Sequence, residues 1–93
     1  MSPSFSTHMK KVLITAGASG IGLAIARAFH RSGSRVYICD IDAAAMERAA
    51  SDLPGIRTRL CDVGDRAAVT AMVADAAGRL GGLDVLVNNA GIG

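Results

Sequence analysis

Four short apolar runs alternate with three helical patterns, and this alternation limits the fold more than any other feature of the sequence. Each run is too short for a helix, is rich in β-branched residues and is bounded by Gly, Asp or Asn, which predicts a strand. The predicted strands are Val12–Thr15, Val36–Asp40, Thr58–Asp62 and Val85–Asn88. Arg57 and Arg59 alternate with less polar residues along the third run, which predicts an edge strand; the other three are almost continuously apolar, as in buried parallel strands.

The segments between these strands carry apolar residues at helical spacing. The stripes expected to face the core are Ile21, Ala24, Ile25, Ala28 and Phe29, then Met46, Ala49, Ala50 and Leu53, then Val69, Met72, Val73, Ala76 and Leu80. Asp42 and Asp65 mark the starts of the second and third helices, while Gly33, Pro54 and Gly81 mark the ends. The resulting β-α-β-α-β-α-β order predicts a parallel α/β sheet with right-handed crossovers.

Composition excludes several classes of protein. A chain of 93 residues is at most one domain, and with 51% hydrophobic and 19% charged residues it should fold. The net charge is only +2, the basic residues are scattered and aromatic residues are scarce. The sequence therefore does not predict a nucleic-acid-binding surface. No apolar run approaches the roughly 18 residues of a membrane span.

Residues 1–9 are expected to lie outside the fold. They are polar and lack the basic start and apolar run of a secretory signal, so a cytoplasmic location is the expectation. They are a disordered leader, an expression remnant, or sequence upstream of a start at Met9. The folded part is expected to be residues 10–93.

The two cysteines, Cys39 and Cys61, lie in apolar runs without a partner at metal-ligand spacing. Buried reduced thiols are therefore expected, with a disulfide or a redox role as the alternative. No metal site is predicted.

A glycine-rich turn, TAGASGIG, joins the first strand directly to the first helix. Small residues let backbone amides approach a diphosphate, and Gly20 and Gly22 are expected to supply that approach. The amides of Ser19 to Gly22 and the positive end of the helix dipole would hold the ligand without Lys or Arg. A tight strand-to-helix turn without any ligand is the alternative.

Asp40 ends the second strand, 18 residues after Gly22. An acidic residue about 20 residues after such a turn accepts hydrogen bonds from a ribose diol. The alternative is a helix-capping or surface carboxylate. The position at the carboxyl end of a strand beside the first one favours a ligand role.

From Gly17 the spacing is G-x-x-G-x-G, and the segment resembles the T-G-x-x-x-G-x-G turn of the short-chain dehydrogenase/reductase family. Ala16 departs from the pattern because the family has glycine there. Asp40 is similar to the acidic residue at the end of the family's second strand. Two further matches are Cys61-Asp62-Val63 for its D-V pair and Asn88-Asn89-Ala90-Gly91 for its N-N-A-G motif.

This resemblance implies a Rossmann-type sheet, with helices on both faces and strand order 3-2-1-4. It implies that Asp62 bonds the adenine amino group, that Val63 packs on the ring, and that Asn89 and Ala90 lie beside the adenosine ribose. Asn88 would tie the fourth strand to its neighbours. A helix-capping role for Asp62 and a plain polar strand end at Asn88 and Asn89 are the alternatives. The expected cofactor-binding set is Gly17, Ser19, Gly20, Ile21, Gly22, Asp40, Asp62, Val63, Asn88, Asn89, Ala90 and Gly91.

The expected cofactor is NAD rather than NADP. Enzymes of the family that prefer NADP usually have a cation just before the second turn glycine or just after the strand-two acid, where this chain has Ser19 and Ile41. An uncompensated Asp40 would repel the 2′-phosphate by roughly 1 to 4 kcal/mol at about 4 Å. Arg35 lies at the wrong end of its strand to help.

Catalysis in the family depends on a Ser, a Tyr and a Lys four residues after the Tyr. Tyr37 is the only tyrosine here and is expected in the core, and no Lys follows Lys11, so no catalytic residue is assigned. The chain is expected to be the N-terminal, cofactor-binding half of a longer enzyme, or part of an assembly whose other chain completes the sheet.

The resemblance implies an oxidoreductase that moves hydride between nicotinamide and an alcohol or carbonyl substrate, homo-oligomeric when complete. A truncated, non-catalytic nucleotide-binding module is the alternative. The extended epimerases and dehydratases use a different glycine spacing, so Gly20 and Gly22 argue against them.

Overall fold

The computed structural model describes residues 10–89. The predicted order of strands and helices is confirmed. The elements are β1 (Lys11–Thr15), α1 (Gly20–Arg31), β2 (Arg35–Asp40), α2 (Ala43–Asp52), β3 (Arg57–Leu60), α3 (Arg66–Leu80) and β4 (Val85–Val87). β3 and β4 each end before the predicted residue, Asp62 and Asn88 respectively, although the Cys61 amide still donates to the Asp40 carbonyl, at 3.0 Å.

The four strands form one parallel sheet in the order β3-β2-β1-β4, which confirms the predicted topology. The register pairs Ile14 of β1 with Ile38 of β2 and with Val87 of β4. Asp40 of β2 pairs with Leu60 of β3, which is the predicted edge strand. The carboxyl ends of all four strands therefore meet at one edge, where sites form in open parallel sheets.

Two hydrophobic clusters lie on opposite faces of the sheet because successive strand residues point to opposite sides. On one face Val12 and Ile14 pack with residues of α1 and α2, among them Ala26 and Met46. On the other, Leu13 belongs to a cluster with residues of β2 and α3, which are Tyr37, Cys39, Met72, Ala76 and Leu80. Helices thus cover both faces, as predicted.

The predicted core-facing stripe of α1 is confirmed at Ile25 and Phe29 and wrong at the other three positions. Ile21, Ala24 and Ala28 are exposed, whereas Gly22 and Ala26 are buried and Leu23, Ile25 and Phe29 are partly buried. The cause is Gly22, where a Cβ atom would lie 2.1 Å from the Ala16 carbonyl oxygen. Glycine counts little in a hydrophobic pattern, yet this contact fixes which side of α1 faces the sheet.

The other two helices match their predicted faces and starts. Met46, Ala49 and Leu53 are buried for α2, and Met72, Ala76 and Leu80 for α3. The Asp42 carboxylate accepts a hydrogen bond from the Ala45 amide at 3.0 Å, and that of Asp65 accepts one from the Ala68 amide at 3.1 Å. Both are side-chain N-caps.

Tyr37 is in the core, as predicted, and its hydroxyl joins an ionic network. The Tyr37 hydroxyl donates to Asp75 Oδ2 at 2.6 Å, and Arg79 and Arg59 lie 3.0 and 3.5 Å from the same carboxylate. Burial, followed by the bond to Asp75, raises the pKa of Tyr37 to about 12. The bond from Tyr37, with the two arginines, lowers the pKa of Asp75. The network ties α3 to β2 and to the edge strand.

Cys39 and Cys61 are buried free thiols, as predicted. Burial, and next the neighbouring Cys61, raises the pKa of the Cys39 thiol to about 11. Within residues 10–89, no helix has the length and apolar character to span a membrane.

Candidate functional site

Three segments that are distant in sequence meet at the carboxyl edge of the sheet. The Ala18 amide of the glycine turn donates to Asp40 Oδ2 at 3.1 Å. On the other side of the turn, Asn89 Nδ2 donates to the Ala16 carbonyl at 3.2 Å. The turn after β1 is therefore held between the ends of β2 and β4.

The glycines of this turn have different roles. A Cβ atom at Gly17 would lie 2.7 Å from the Ile38 side chain, and one at Gly22 would meet the Ala16 carbonyl and Asn89. Both glycines thus permit close packing of the turn, against β2 and against α1 respectively. Gly20 differs because a Cβ atom there would meet nothing within 4 Å. Its φ is +58°, in the left-handed region that favours glycine.

Within residues 10–89, no side chain caps the first amides of α1. The Leu23 amide is the first to bond within the helix, to the Ser19 carbonyl at 3.2 Å, so the amides of Gly20, Ile21 and Gly22 precede the intrahelical ladder. Ser19 has an extended backbone but makes no capping bond through its side chain, and the first turn holds no acidic residue. Such an end favours an anion.

Ala16 keeps the turn conformation despite being the departure from the family pattern. Its φ is +52°, the left-handed region, and it is the only non-glycine residue among those described with a positive φ. An L-residue pays roughly 1 to 2 kcal/mol there. The start of the turn therefore has the backbone shape that a glycine would adopt without strain.

The Asp40 carboxylate is oriented by three backbone amides. Oδ2 accepts from Ala18, while Oδ1 accepts from Ile41 at 2.8 Å and from Asp42 at 3.1 Å. A carboxylate has about four acceptor positions. One position on Oδ2 therefore remains for a further donor, and Asp42 rather than Asp40 caps α2.

Asp62 and Val63 follow β3, beside the end of β2. Asp62 Oδ1 accepts from the Gly64 amide at 2.8 Å, and the α3 cap is Asp65, so the alternative that Asp62 caps this helix is wrong. Val63 is 42% exposed, and Ile41, directly after β2, is 74% exposed. The ends of β2 and β3 thus carry an apolar rim next to the Asp62 carboxylate.

The two asparagines after β4 bond in different directions. Asn88 Oδ1 accepts from the Thr15 hydroxyl at 3.3 Å, so Asn88 ties β4 to β1, and Asn89 bonds the turn as described above. Ala90 and Gly91, also in the predicted set, lie outside the described residues, as do residues 1–9.

Sequence reasoning missed Thr15 and Ala18. Thr15 is buried at the carboxyl end of β1, and its hydroxyl is hydrogen-bonded to Asn88. The sequence signal for such a role is a polar residue at the end of an otherwise apolar strand. Ala18 acts through its backbone amide, which leaves no trace in the sequence. Among residues 10–89, no three His, Cys, Asp or Glu side chains cluster as a metal site would require.

A small-residue turn leading into an uncapped helix, with a carboxylate at the end of the next strand, defines a Rossmann-type dinucleotide-binding fold. The family model of the short-chain dehydrogenases matches residues 10–93, so the chain belongs to the short-chain dehydrogenase family.

Relatives and solved structures agree with this assignment. The chain is 45% identical over 82 residues to an L-fucose dehydrogenase of Bos taurus, covering 88% of this chain and 30% of that protein. It is 45% identical over 89 residues to a 2-keto-3-deoxy-L-fuconate dehydrogenase of Xanthomonas campestris, covering 96% of this chain and 28% of that protein.

Among solved structures, a 3-ketoacyl-(acyl-carrier-protein) reductase from Brucella melitensis complexed with NADH superposes with a TM-score of 0.78 and 35% identity, over 83% of this chain and 32% of that one. A SCOR enzyme from Clostridium thermocellum gives 0.81 and 34%, over 86% and 33%. The chain thus spans about a third of the length of its relatives.

Proposed function

We propose that this chain is the cofactor-binding part of an NAD-dependent oxidoreductase that transfers hydride between nicotinamide and an alcohol or carbonyl group. The uncapped start of α1, with Gly20 open beside it, is the observation that carries the proposal. Tyr37 is buried and bonded to Asp75, so it is not available as an acid or base. The groups for proton transfer are to be sought outside residues 10–89.

The pyrophosphate would lie against the amides of Gly20, Ile21 and Gly22. The positive end of the α1 dipole favours an anion there, and the small residues of the turn allow its oxygens to reach the backbone. The bound phosphate would take the role that the Asp42 and Asp65 side chains take at α2 and α3. When bound, the cofactor supplies the hydride acceptor or donor.

The adenosine would occupy the ends of β2 and β3. One ribose hydroxyl would donate to the remaining acceptor position on Asp40 Oδ2. Its ring would lie on the apolar rim of Ile41 and Val63, with the amino group directed to Asp62, whose Oδ2 makes no bond to the described residues. Asn88 and Asn89 keep the end of β4 and the turn in place beside it.

The preference for NAD rests on Asp40. Three amides fix its carboxylate, so it cannot swing away from a 2′-phosphate without losing those bonds. Ser19 and Ile41 offer no compensating cation. A like-charge contact at about 4 Å opposes NADP by roughly 1 to 4 kcal/mol, which is about fivefold to several hundredfold in affinity.

Calorimetry on the purified chain tests this proposal. We expect NAD to bind more tightly than NADP, and Asp40→Asn to reduce the difference because the charge is lost while the shape is kept. Asp52→Asn, on the exposed end of α2, is the matched control and should leave the ratio unchanged. Equal or tighter binding of NADP by the unsubstituted chain would contradict the proposed preference.

A non-catalytic nucleotide-binding module is the second candidate, favoured by the burial of the only tyrosine in the sequence. Both candidates predict binding, so calorimetry does not separate them. A Ser and a Tyr-x-x-x-Lys in the encoding gene after Gly93 would favour the oxidoreductase, with its alcohol or carbonyl substrate and a homo-oligomeric assembly.

A further inference from the structure

A second concave region lies at the opposite end of the sheet from the proposed cofactor site. It is a cavity of about 580 Å³ at the amino-terminal ends of β2 and β3, and Arg35, Arg57, Arg79 and His30 line it together with the main chain around Gly55. Along β2 it is roughly 16 Å from Asp40, at about 3.3 Å per residue. No carboxylate belongs to its described lining.

The fold brings together basic residues that are scattered in the sequence. Arg35 begins β2, Arg57 begins β3 and Arg79 lies in the last turn of α3. A neighbouring cavity of about 430 Å³ shares Arg57 and Arg79 and adds Arg59 with Asp75. Four guanidinium groups therefore surround the outer part of β3, with one carboxylate among them.

Two of the cavity arginines are held in place and keep donors to spare. Arg35 Nη1 donates to the Leu80 carbonyl at 3.1 Å, and Arg79 Nε donates to Asp75 at 3.0 Å. A guanidinium has five N–H donors, so each retains several. Within residues 10–89 the Arg57 side chain forms neither a hydrogen bond nor an ion pair.

The groups that would oppose an anion here are already engaged. The Phe29 and His30 carbonyls at the end of α1 accept from the amides of Ser34 and Gly33, both at 3.1 Å. The Pro54 carbonyl faces His30 Nε2 at 2.8 Å, which places the ring proton on that nitrogen. The arginines therefore supply the positive charge of the lining, and they must outweigh the negative dipole ends of the helices that end there.

We propose that this cavity binds a phosphate group, as inorganic phosphate or as a phosphate monoester. Guanidinium forks match the oxygens of a phosphate in pairs, and a dianion gains from several arginines at once. The cavity is within the usual size range of small-molecule sites, about 300 to 1,000 Å³. The site is separate from the cofactor site and does not depend on it.

Amide NMR of the 93-residue chain tests the proposal. Inorganic phosphate and glycerol 3-phosphate are titrated separately, with sodium chloride holding the ionic strength constant. We expect saturable shifts at Gly33, Gly55 and Ile56. Tighter binding of glycerol 3-phosphate would identify the ligand as a monoester, and tighter binding of inorganic phosphate would identify the free ion. Equal binding would show that the cavity recognises the phosphate group alone.

Arg57→Gln should weaken this binding about tenfold, the effect of losing a charged hydrogen-bond donor. Arg48→Gln, exposed on α2 and outside both cavities, removes the same charge and should change binding less than twofold. Arg57→Lys should give an intermediate affinity, because it keeps the charge and loses the fork. Shifts confined to Ser19–Gly22, shifts that do not saturate, or an equal loss in Arg48→Gln would overturn the proposal.

Discussion

The three helices begin at the same edge of the sheet, yet α1 begins differently from α2 and α3. Asp42 and Asp65 accept a hydrogen bond from the third amide that follows each of them, so α2 and α3 satisfy their own ends. Ser19 does not do so, and a turn of small residues precedes it. Among the described residues, α1 alone of the three helices has no side-chain cap, and this difference supports the proposal that α1 binds the pyrophosphate.

The largest expected effect comes from Gly22→Ala. The added Cβ atom would lie 2.1 Å from the Ala16 carbonyl oxygen, so α1 must move away from the turn. We expect a loss of about 3 kcal/mol in the free energy of unfolding, measured by urea denaturation. Gly78→Ala on α3 is the control: a Cβ atom meets nothing within 4 Å there, and a gain of about 0.5 to 1 kcal/mol is expected. Equal effects at both positions would refute the packing role of Gly22.

A pH dependence is expected from Tyr37, which lies within β2 and takes no part in capping a helix. The pKa of Tyr37 is raised to about 12 in the folded chain, against 10 unfolded, so the folded chain keeps the proton longer. The contribution of Tyr37 to stability should be fully present below pH 10 and fall as pH rises from 10 to 12. Tyr37→Phe should flatten this decline in urea denaturation series. The contribution of Cys39 falls over a lower range, from pH 9 to about 11, and should do so equally in the unsubstituted chain and in the variant. An unchanged slope in that variant would show that another group is responsible.

The caps themselves sharpen the comparison. Asp65→Ala should lower the free energy of unfolding by about 1 kcal/mol, because the Ala68 amide loses its acceptor. Ser19→Ala should change it by much less, since the Ser19 side chain makes no capping bond. Thermal unfolding without ligand measures both. A similar loss in the two variants would erase the distinction between α1 and α3.

The smallest effect concerns the shape of the turn. Ala16→Gly should raise the free energy of unfolding by about 0.5 to 1 kcal/mol, since it relieves roughly 1 to 2 kcal/mol of strain at φ +52° and adds chain entropy to the unfolded state. Denaturation of the variant measures the gain. A loss of stability would mean that the Ala16 side chain makes a contact worth more than the strain.

Most of the fold could be predicted from the sequence because the strands are short, apolar and separated by helical spacing. Asp42 and Asp65 were also predictable, since capping is a local property of sequence. The rotation of α1 was not, because it depends on a contact between the hydrogen of Gly22 and a carbonyl six residues earlier.

At the site, residue types were predictable and bonding partners were not. The sequence shows Asp40 and a glycine turn, but not that the Ala18 amide joins them. The same holds for the arginines around β3, which only the parallel pairing of β2 with β3 and the packing of α3 bring together.

Ser19→Asp tests the central claim most directly, because it gives α1 the cap that α2 and α3 already have. NAD affinity and the free energy of unfolding are measured together, with Ser19→Asn as the uncharged control. We expect Ser19→Asp to stabilise the chain by about 0.5 to 1 kcal/mol while weakening NAD binding at least tenfold, because the carboxylate competes with the pyrophosphate for the same amides. Ser19→Asn should stabilise similarly with a smaller loss of affinity. Unchanged NAD binding by Ser19→Asp would contradict the assignment of α1 as the pyrophosphate-binding helix.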